Sequence, residues 1–450
     1  MPTITLIQPR FLNRDLDRNI KTLYPIGLGY LAAYVPDHWD VKIIDEQIED
    51  IPPDIKSDLI GISTTTVTAI RAYELAQSLK QRGISVVLGG VHASMCPEEA
   101  SRYADAVCIG DGEGVIGTIV EDFEQGRLQP YYYGNLAQLE GLKKPRHELF
   151  RREYSFIPVS TSRGCPFNCN FCAINRFYQG VYRTRDVEDV MKELTSLPGA
   201  YDIVFFSDGN MYGYSQSDIR RFKDICRRII EEKVRGNIPF KYFLCYTSVN
   251  ALEDEEALDL AAEAGCAALF VGFESINPDA LREMNKKLNL KYGVDSYKRM
   301  VENAHKRKIL VVGEMVVGND SDTPESLRET EVFLDDINFD ILRLQILQPL
   351  PGTKLFESLE SQGRLYLKNF PEDWQKLTDY FTMGVHFSPK NMKERELQLW
   401  VKRAGLSFYS PRRILRRALG NFIKTGSLKM ALTTLVMSFK SRKTYANVKL

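Results

Sequence analysis

Two successions of short apolar runs alternating with helix-like stretches decide what this 450-residue chain can fold into. Within residues 1–125 the runs are 3–7 (TITLI), 41–45 (VKIID), 59–63 (LIGIS), 84–90 (ISVVLGG) and 106–110 (AVCIG). Each is short enough for a strand and apolar enough to be buried on both faces. Residues 26–35, 69–82 and 97–103 between them carry a helical pattern. Strand–helix alternation predicts a parallel, doubly wound α/β sheet, here a Rossmann-like (flavodoxin-like) domain. Glycine turns at Gly89-Gly90 and Gly110–Glu113 fall at the carboxyl ends of the later strands, where such sheets bind ligands.

The second series supplies strands at 156–161, 202–207, 241–246, 267–272, 309–318 and 341–347. Helical patterns lie at 187–197, 216–233, 254–264, 291–308 and 323–336. Six βα repeats are too few for an eightfold barrel and predict an open, partial (β/α)6 TIM barrel over 156–355. Residues 126–155, with the run GRLQPYYYGN and no period, read as a linker. Residues 356–450 read as a helical C-terminal region ending in a basic amphipathic tail.

Charged residues make up 26% and the formal net charge is zero, so no overall field draws the chain to nucleic acid. The balance is uneven. Residues 402–450 hold twelve Lys or Arg and no Asp or Glu, which leaves −12 on residues 1–401. The tail FYSPRRILRRALGNFIKTGSLKMALTTLVMSFKSRK sets apolar residues among Arg and Lys at helical spacing. Such a segment lies on a membrane surface or a partner, or else caps the acidic body. The N-terminus MPTITLIQPR runs straight into a strand pattern without a signal-peptide layout. The longest apolar stretch, 428–439, is shorter than the ~20 residues a spanning helix needs. The expectation is a cytoplasmic protein, with a peripheral membrane position open to it through the tail.

Of eight cysteines, Cys108, Cys226, Cys245 and Cys266 sit alone in or beside apolar patterns and read as packing. Cys165, Cys169 and Cys172 form C-x3-C-x2-C in STSRGCPFNCNFCAINRFYQG, directly after the first strand of the second series. In a cytosolic chain, clustered cysteines are metal ligands before they are disulfides. Three thiolates on one loop reach three corners of an iron–sulfur cubane and leave the fourth iron open. Zinc is the competing reading, but it needs a fourth ligand or a second pair. The histidines (His38, His92, His147, His305 and His386) all lie outside the loop.

This motif, with Phe171 before its last cysteine, resembles the signature of the radical S-adenosylmethionine (SAM) superfamily. The resemblance implies that the three cysteines hold a [4Fe–4S] cluster and that its open iron chelates the amino and carboxylate groups of SAM. It implies further that an electron from the cluster releases a 5′-deoxyadenosyl radical, with a reductant such as flavodoxin or ferredoxin as partner. Strand ends then supply the other site residues. Asp208 and Asn210 (FFSDGN) face the SAM amino group, Ser248 (YTSVN) its carboxylate or ribose, and Glu274 (GFES) SAM itself. Gln348 (QPLPGT) lines the substrate cavity, and Glu314 stands inside the fifth strand. An ordinary polar turn accounts equally well for Asp208 and Asn210. A carboxylate directly after an apolar strand is costly without a partner, which favours a role for Glu274.

The domain order, together with VVLGGVHASMCPEEA and ADAVCIGDGE, resembles the class that carries a cobalamin-binding domain ahead of the barrel. That class includes hopanoid and bacteriochlorophyll methylases and the anaerobic magnesium-protoporphyrin ester cyclase, and the resemblance covers residues 1–355. It implies cobalamin against an edge formed by Ser63, Thr64, Thr65, Gly89, Gly90 and Gly110. The D-x-H-x-x-G motif, whose histidine ligates cobalt in methyl-transferring mutases and synthases, does not occur, and His92 reads as a turn residue. A Rossmann-like domain that has lost its ligand is the alternative.

The leading expectation is therefore a cobalamin-dependent C-methyltransferase acting on an unactivated carbon of a lipid, a tetrapyrrole or another small secondary metabolite. A radical SAM oxidoreductase, cyclase or dehydratase without methyl transfer is the runner-up, and a non-enzymatic iron–sulfur protein the third reading. A tRNA substrate is disfavoured, because methylthiotransferases of that kind carry three further cysteines in a different N-terminal domain.

Overall fold

Both series form parallel sheets in a computed structural model that describes residues 1–11, 23–134, 138–151, 153–381, 383–426 and 428–448. The first sheet contains β1 (Thr3–Gln8), β2 (Asp40–Asp45), β3 (Leu59–Ser63), β4 (Ser85–Gly89), β5 (Ala106–Gly110) and β6 (Tyr131–Gly134). Its spatial order is β2-β1-β3-β4-β5-β6, all parallel. Helices cover both faces, so Ile4, Leu6, Ile60, Val86, Leu88 and Val107 are fully buried and the strands read as unbroken apolar runs.

β6 corrects the linker reading. The tyrosine run pairs with β5 as an edge strand, Val107 opposite Tyr131 and Gly110 opposite Gly134. Tyr132 is buried while Tyr133 is 71% exposed, the period-two alternation of an edge with one covered face. β5 and β6 close tightly at their ends. Gly110 has φ +85°, and a Cβ there would lie 2.2 Å from the Gly134 carbonyl oxygen. Two helices, Gly90–Met95 and Ile116–Glu124, follow the glycine turns that the sequence reading left as turns. The stretch 291–308 splits at Gly293 (φ +76°) into Lys287–Tyr292 and Tyr297–Lys306.

The second sheet contains β7 (Ile157–Val159), β10 (Ile203–Phe206), β11 (Tyr242–Thr247), β12 (Cys266–Glu274), β13 (Leu310–Val317) and β14 (Ile341–Ile346). Spatial order follows chain order without closure, which is the expected open barrel. A short antiparallel pair, β8 (Ser162–Arg163) with β9 (Arg183–Thr184), brackets the cysteine loop. Its concave side is identified by contacts that skip strands. Phe205 of β10 meets Phe270 of β12, and Tyr246 of β11 accepts a hydrogen bond from Arg343 of β14.

β14 is an edge strand, and the C-terminal helices Glu394–Phe408 and Leu428–Ala446 pack against it, with Pro411–Thr425 packed on the last helix. The Tyr409 hydroxyl accepts from Leu342 N (2.8 Å) and donates to Leu342 O (2.8 Å). The Tyr445 hydroxyl does the same at Leu344 (2.9 and 3.2 Å). Two phenols thus satisfy backbone groups that a neighbouring strand would otherwise take. Tyr445 gets close enough because Gly405 has no side chain; a Cβ there would stand 2.2 Å from its ring. No helix among the described residues is long and apolar enough to cross a membrane.

Candidate active site at the domain junction

The carboxyl ends of β3, β4 and β5 face the start of the cysteine loop across a cavity of about 430 Å³. Ser63, Thr64, Thr65, Gly89, Gly90 and Gly110 all line it, beside Ser160, Arg163, Gly164 and Ile174 from the second domain. The cavity therefore joins the predicted cobalamin edge to the predicted cluster loop. Thr64 is fully buried and ties the two strand ends together: its hydroxyl donates to Gly89 O (2.7 Å) and accepts from Ala93 N (3.0 Å). Gly90 has φ +88°, and a Cβ would stand 2.7 Å from both N and O of Thr64, so only glycine lets this turn close. His92 belongs to a helix rather than a turn. It is fully buried, outside the cavity wall, and its ring nitrogens meet Thr66 Oγ1 (3.3 Å) and Glu99 (3.2 Å).

Arg163 and its partners are the part of this cavity that sequence reasoning missed. Its guanidinium reaches from the residues just before Cys165 to Asp111 (2.7 Å) and Glu113 (2.5 Å) of the first domain. Arg183 of β9 holds the other Asp111 oxygen at 2.8 Å. Side-chain exposures in this group are 9% or less. Burial works against the Arg163 charge, but Glu113 and Asp111 outweigh it and hold the guanidinium firmly protonated. The sequence offered the Gly110–Glu113 turn as a ligand edge, and nothing in it pointed across 50 residues to Arg163.

Cys165, Cys169 and Cys172 are half-buried free thiols on one loop. Burial pushes the Cys165 thiol up to about 12, with the other two thiols adding to it; burial also raises Cys169, against the pull of Lys286. Among the described residues no three His, Cys, Asp or Glu side chains converge on a single ion. His147, the nearest histidine in the chain, is engaged elsewhere, with Tyr24 and, at 3.5 Å, Glu193. Soft donors, a shared loop and an adjacent cation fit a [4Fe–4S] cluster.

That cation is Lys286, which has no counterpart in the sequence reading. Burial opposes its charge, yet Glu274 at 2.7 Å and the Cys169 and Cys165 thiols raise its pKa above the usual lysine value. Glu274 closes β12 with φ +65°, a conformation that non-glycine residues seldom adopt. Glu314 pairs with Arg343 at 2.8 Å, and burial raises its carboxyl.

The other strand-end residues are brought to the same end of the barrel, already engaged with one another. Asn210 donates to Ser248 Oγ (2.9 Å), and Ser248 donates to Asn250 (2.5 Å). Asp208 accepts from Thr161 N (2.9 Å), Thr161 Oγ1 (3.1 Å) and Ser162 Oγ (2.5 Å), which fixes the entry to the cysteine loop. Its Oδ2 is buried without a hydrogen-bond partner, and burial raises its carboxyl. Phe171 lies away from the junction, in a second cavity of about 200 Å³ with Asn170, Met284 and Leu355. Gln348 donates to Ile346 O (3.2 Å) and Gly384 O (3.0 Å), bracing the segment after β14.

Residues 159–334 match the Radical SAM superfamily and residues 21–120 match the B12 binding domain. The chain thus carries both domains of the radical SAM class that has a B12-binding domain ahead of the barrel. It is 29% identical to a bacteriochlorophyllide d C-12(1)-methyltransferase of Chlorobaculum tepidum, over 88% of this chain and 85% of that one. It is 26% identical to an anaerobic magnesium-protoporphyrin IX monomethyl ester cyclase of Rubrivivax gelatinosus, over 76% of this chain and 67% of that one. The radical SAM methyltransferase TsrM of Kitasatospora setae shares the fold, with a TM-score of 0.73 at 17% identity over 98% of this chain and 99% of that one. The cofactors of this class are a [4Fe–4S] cluster, SAM and cobalamin.

Proposed function

We propose that this enzyme is a cobalamin-dependent radical SAM C-methyltransferase acting on an unactivated carbon of an apolar small molecule. The observation that carries the reading is the single cavity shared by the B12-type strand ends and the cysteine loop. When bound, the cluster with SAM supplies a 5′-deoxyadenosyl radical that takes a hydrogen atom from carbon, and methylcobalamin supplies the methyl group.

The chain's own residues hold and orient these groups. Cys165, Cys169 and Cys172 provide the cluster thiolates, and Lys286 sets a positive charge beside two of them. Asp208 fixes the loop entry, while Asn210, Ser248 and Glu274 present polar groups to SAM at the strand ends. Ser63, Thr64, Thr65, Gly89, Gly90 and Gly110 form the cobalamin edge. Phe205, Tyr246 and Phe270 make an aromatic patch on the concave side of the sheet, which supports a lipid or tetrapyrrole substrate. A small reductant protein such as flavodoxin or ferredoxin delivers the electron, and the basic C-terminal region gives a membrane-surface contact.

The test is anaerobic purification from a cobalamin-supplied host, followed by turnover with methyl-labelled SAM and candidate lipids and tetrapyrroles. Bound cobalamin and label in the product are expected. Deoxyadenosine without label transfer would replace this reading with the oxidoreductase or cyclase.

A further inference from the structure

The last two helices, Pro411–Thr425 and Leu428–Ala446, are joined across Gly426 (φ +64°) and pack on each other as a hairpin. One side is fastened to the body. Ile414, Ala418, Ala431 and Thr434 are buried, Arg413 donates to Asp335 (2.7 Å), and Asn421 donates to Asp340 (2.7 Å). The other side presents two stripes at i, i+4, i+7: Leu415, Leu419 and Phe422 on the first helix, and Leu432, Val436 and Phe439 on the second, each 43–60% exposed. Ile423 (72%) and Leu428 (63%) extend them to the turn. Eight apolar residues so exposed on one hairpin are more than the singly scattered apolar residues of an ordinary surface.

Cations run along the same hairpin. Arg412 and Arg416 lie toward the start of the first helix and Lys440 and Lys443 toward the end of the second, all exposed and with no ion pair to a described residue, and Lys424 and Lys429 flank the turn in the sequence. In a hairpin the two far ends lie side by side, so cations stand at both ends of the exposed apolar stripes. We propose that this hairpin is a docking device for an anionic bilayer surface, with the apolar stripes seated among the acyl chains and the cations against lipid phosphates. A second copy of the chain is the less suitable occupant. Twofold docking of this face would oppose cation to cation, and residues 402–450 contain no Asp or Glu to answer them. The inference gives a location to the membrane contact proposed above and does not depend on methyl transfer.

The experiment is sedimentation of the full-length protein with vesicles of phosphatidylcholine alone or mixed with phosphatidylglycerol. Binding is expected only to the anionic vesicles, with release by about 0.5 M salt. R416E/K440E and F422S/I423S should each raise the lipid concentration for half-binding roughly tenfold or more. L419Q is the milder substitute should the second variant unfold. F422W should be quenched by brominated lipid, and V234W, at an 85% exposed position on a barrel helix, should not. Equal binding to neutral vesicles, no binding to either, or a dimer that F422S/I423S abolishes would overturn the proposal.

Discussion

Replacing Arg163 with Met tests the junction most directly. Arg163, Arg183, Asp111 and Glu113 form a buried group whose formal charges cancel, with side-chain exposures of 6–9%. R163M leaves one uncompensated negative charge there and strands the Glu113 carboxylate, since Arg163 bonds both its oxygens. Breaking a buried pair by removing one partner costs about 3–5 kcal/mol. E113Q removes the opposite charge, so R163M/E113Q should be about 1.5 kcal/mol more stable than the sum of the two single effects predicts, within the ~0.5–3 kcal/mol range of directly coupled residues. The assay is guanidinium denaturation of the four proteins of this cycle. Trp39 reports on the first domain, Trp374, which donates to Glu99, on the contact of that domain with the C-terminal region, and Trp400 on the C-terminal region itself. A first transition that involves all three is expected, because the charge group joins the domains. An R163M protein within about 0.5 kcal/mol of the parent, or additive single effects, would refute the assignment of the junction to this ion group.

Replacing Cys172 with Ala should abolish SAM cleavage, measured as deoxyadenosine after reduction, while circular dichroism stays unchanged, because the thiol is half-buried on a loop. K286M should destabilise the fold by about 3 kcal/mol by stranding buried Glu274. K286R, which keeps the charge, should lose less in the same denaturation experiment. For Asp208 the folded pKa is raised by burial above 3.8. Its contribution to stability is therefore fully present below the unfolded value and lost as pH rises through the folded one. D208N, which cannot ionise, should lack this loss while the parent falls relative to it from pH 3 to 6, so a parent-minus-variant difference that grows with pH would contradict the shift.

Much of the fold was legible because parallel strands buried on both faces read as nearly unbroken apolar runs: LIGIS and AVCIG became β3 and β5 with unchanged bounds. The tyrosine run escaped because it is a four-residue edge strand that follows a proline and ends on a glycine, where chemistry and period both resemble a turn. The cysteine triad was legible because its ligands are local in sequence. Lys286 and Arg163 were not, because each acts on residues far away in the chain. Lys286 follows a helix as one of two adjacent lysines, and only folding shows which is buried against Glu274. The basic tail was legible as amphipathic, but the sequence could not show that each helix carries two apolar faces, one fastened and one bare.

The phenols that cap β14 have a consequence for the life of the chain beyond catalysis. Strand edges recruit other strands, and the backbone of this one is satisfied at Leu342 and Leu344 by two phenols of the C-terminal region. Proteolysis after Tyr409 would remove Tyr445 and bare the polar backbone of Leu344 in an apolar strand. Such a nicked molecule would offer that stretch of β14 for pairing with another strand, so the final helix protects against edge-to-edge association.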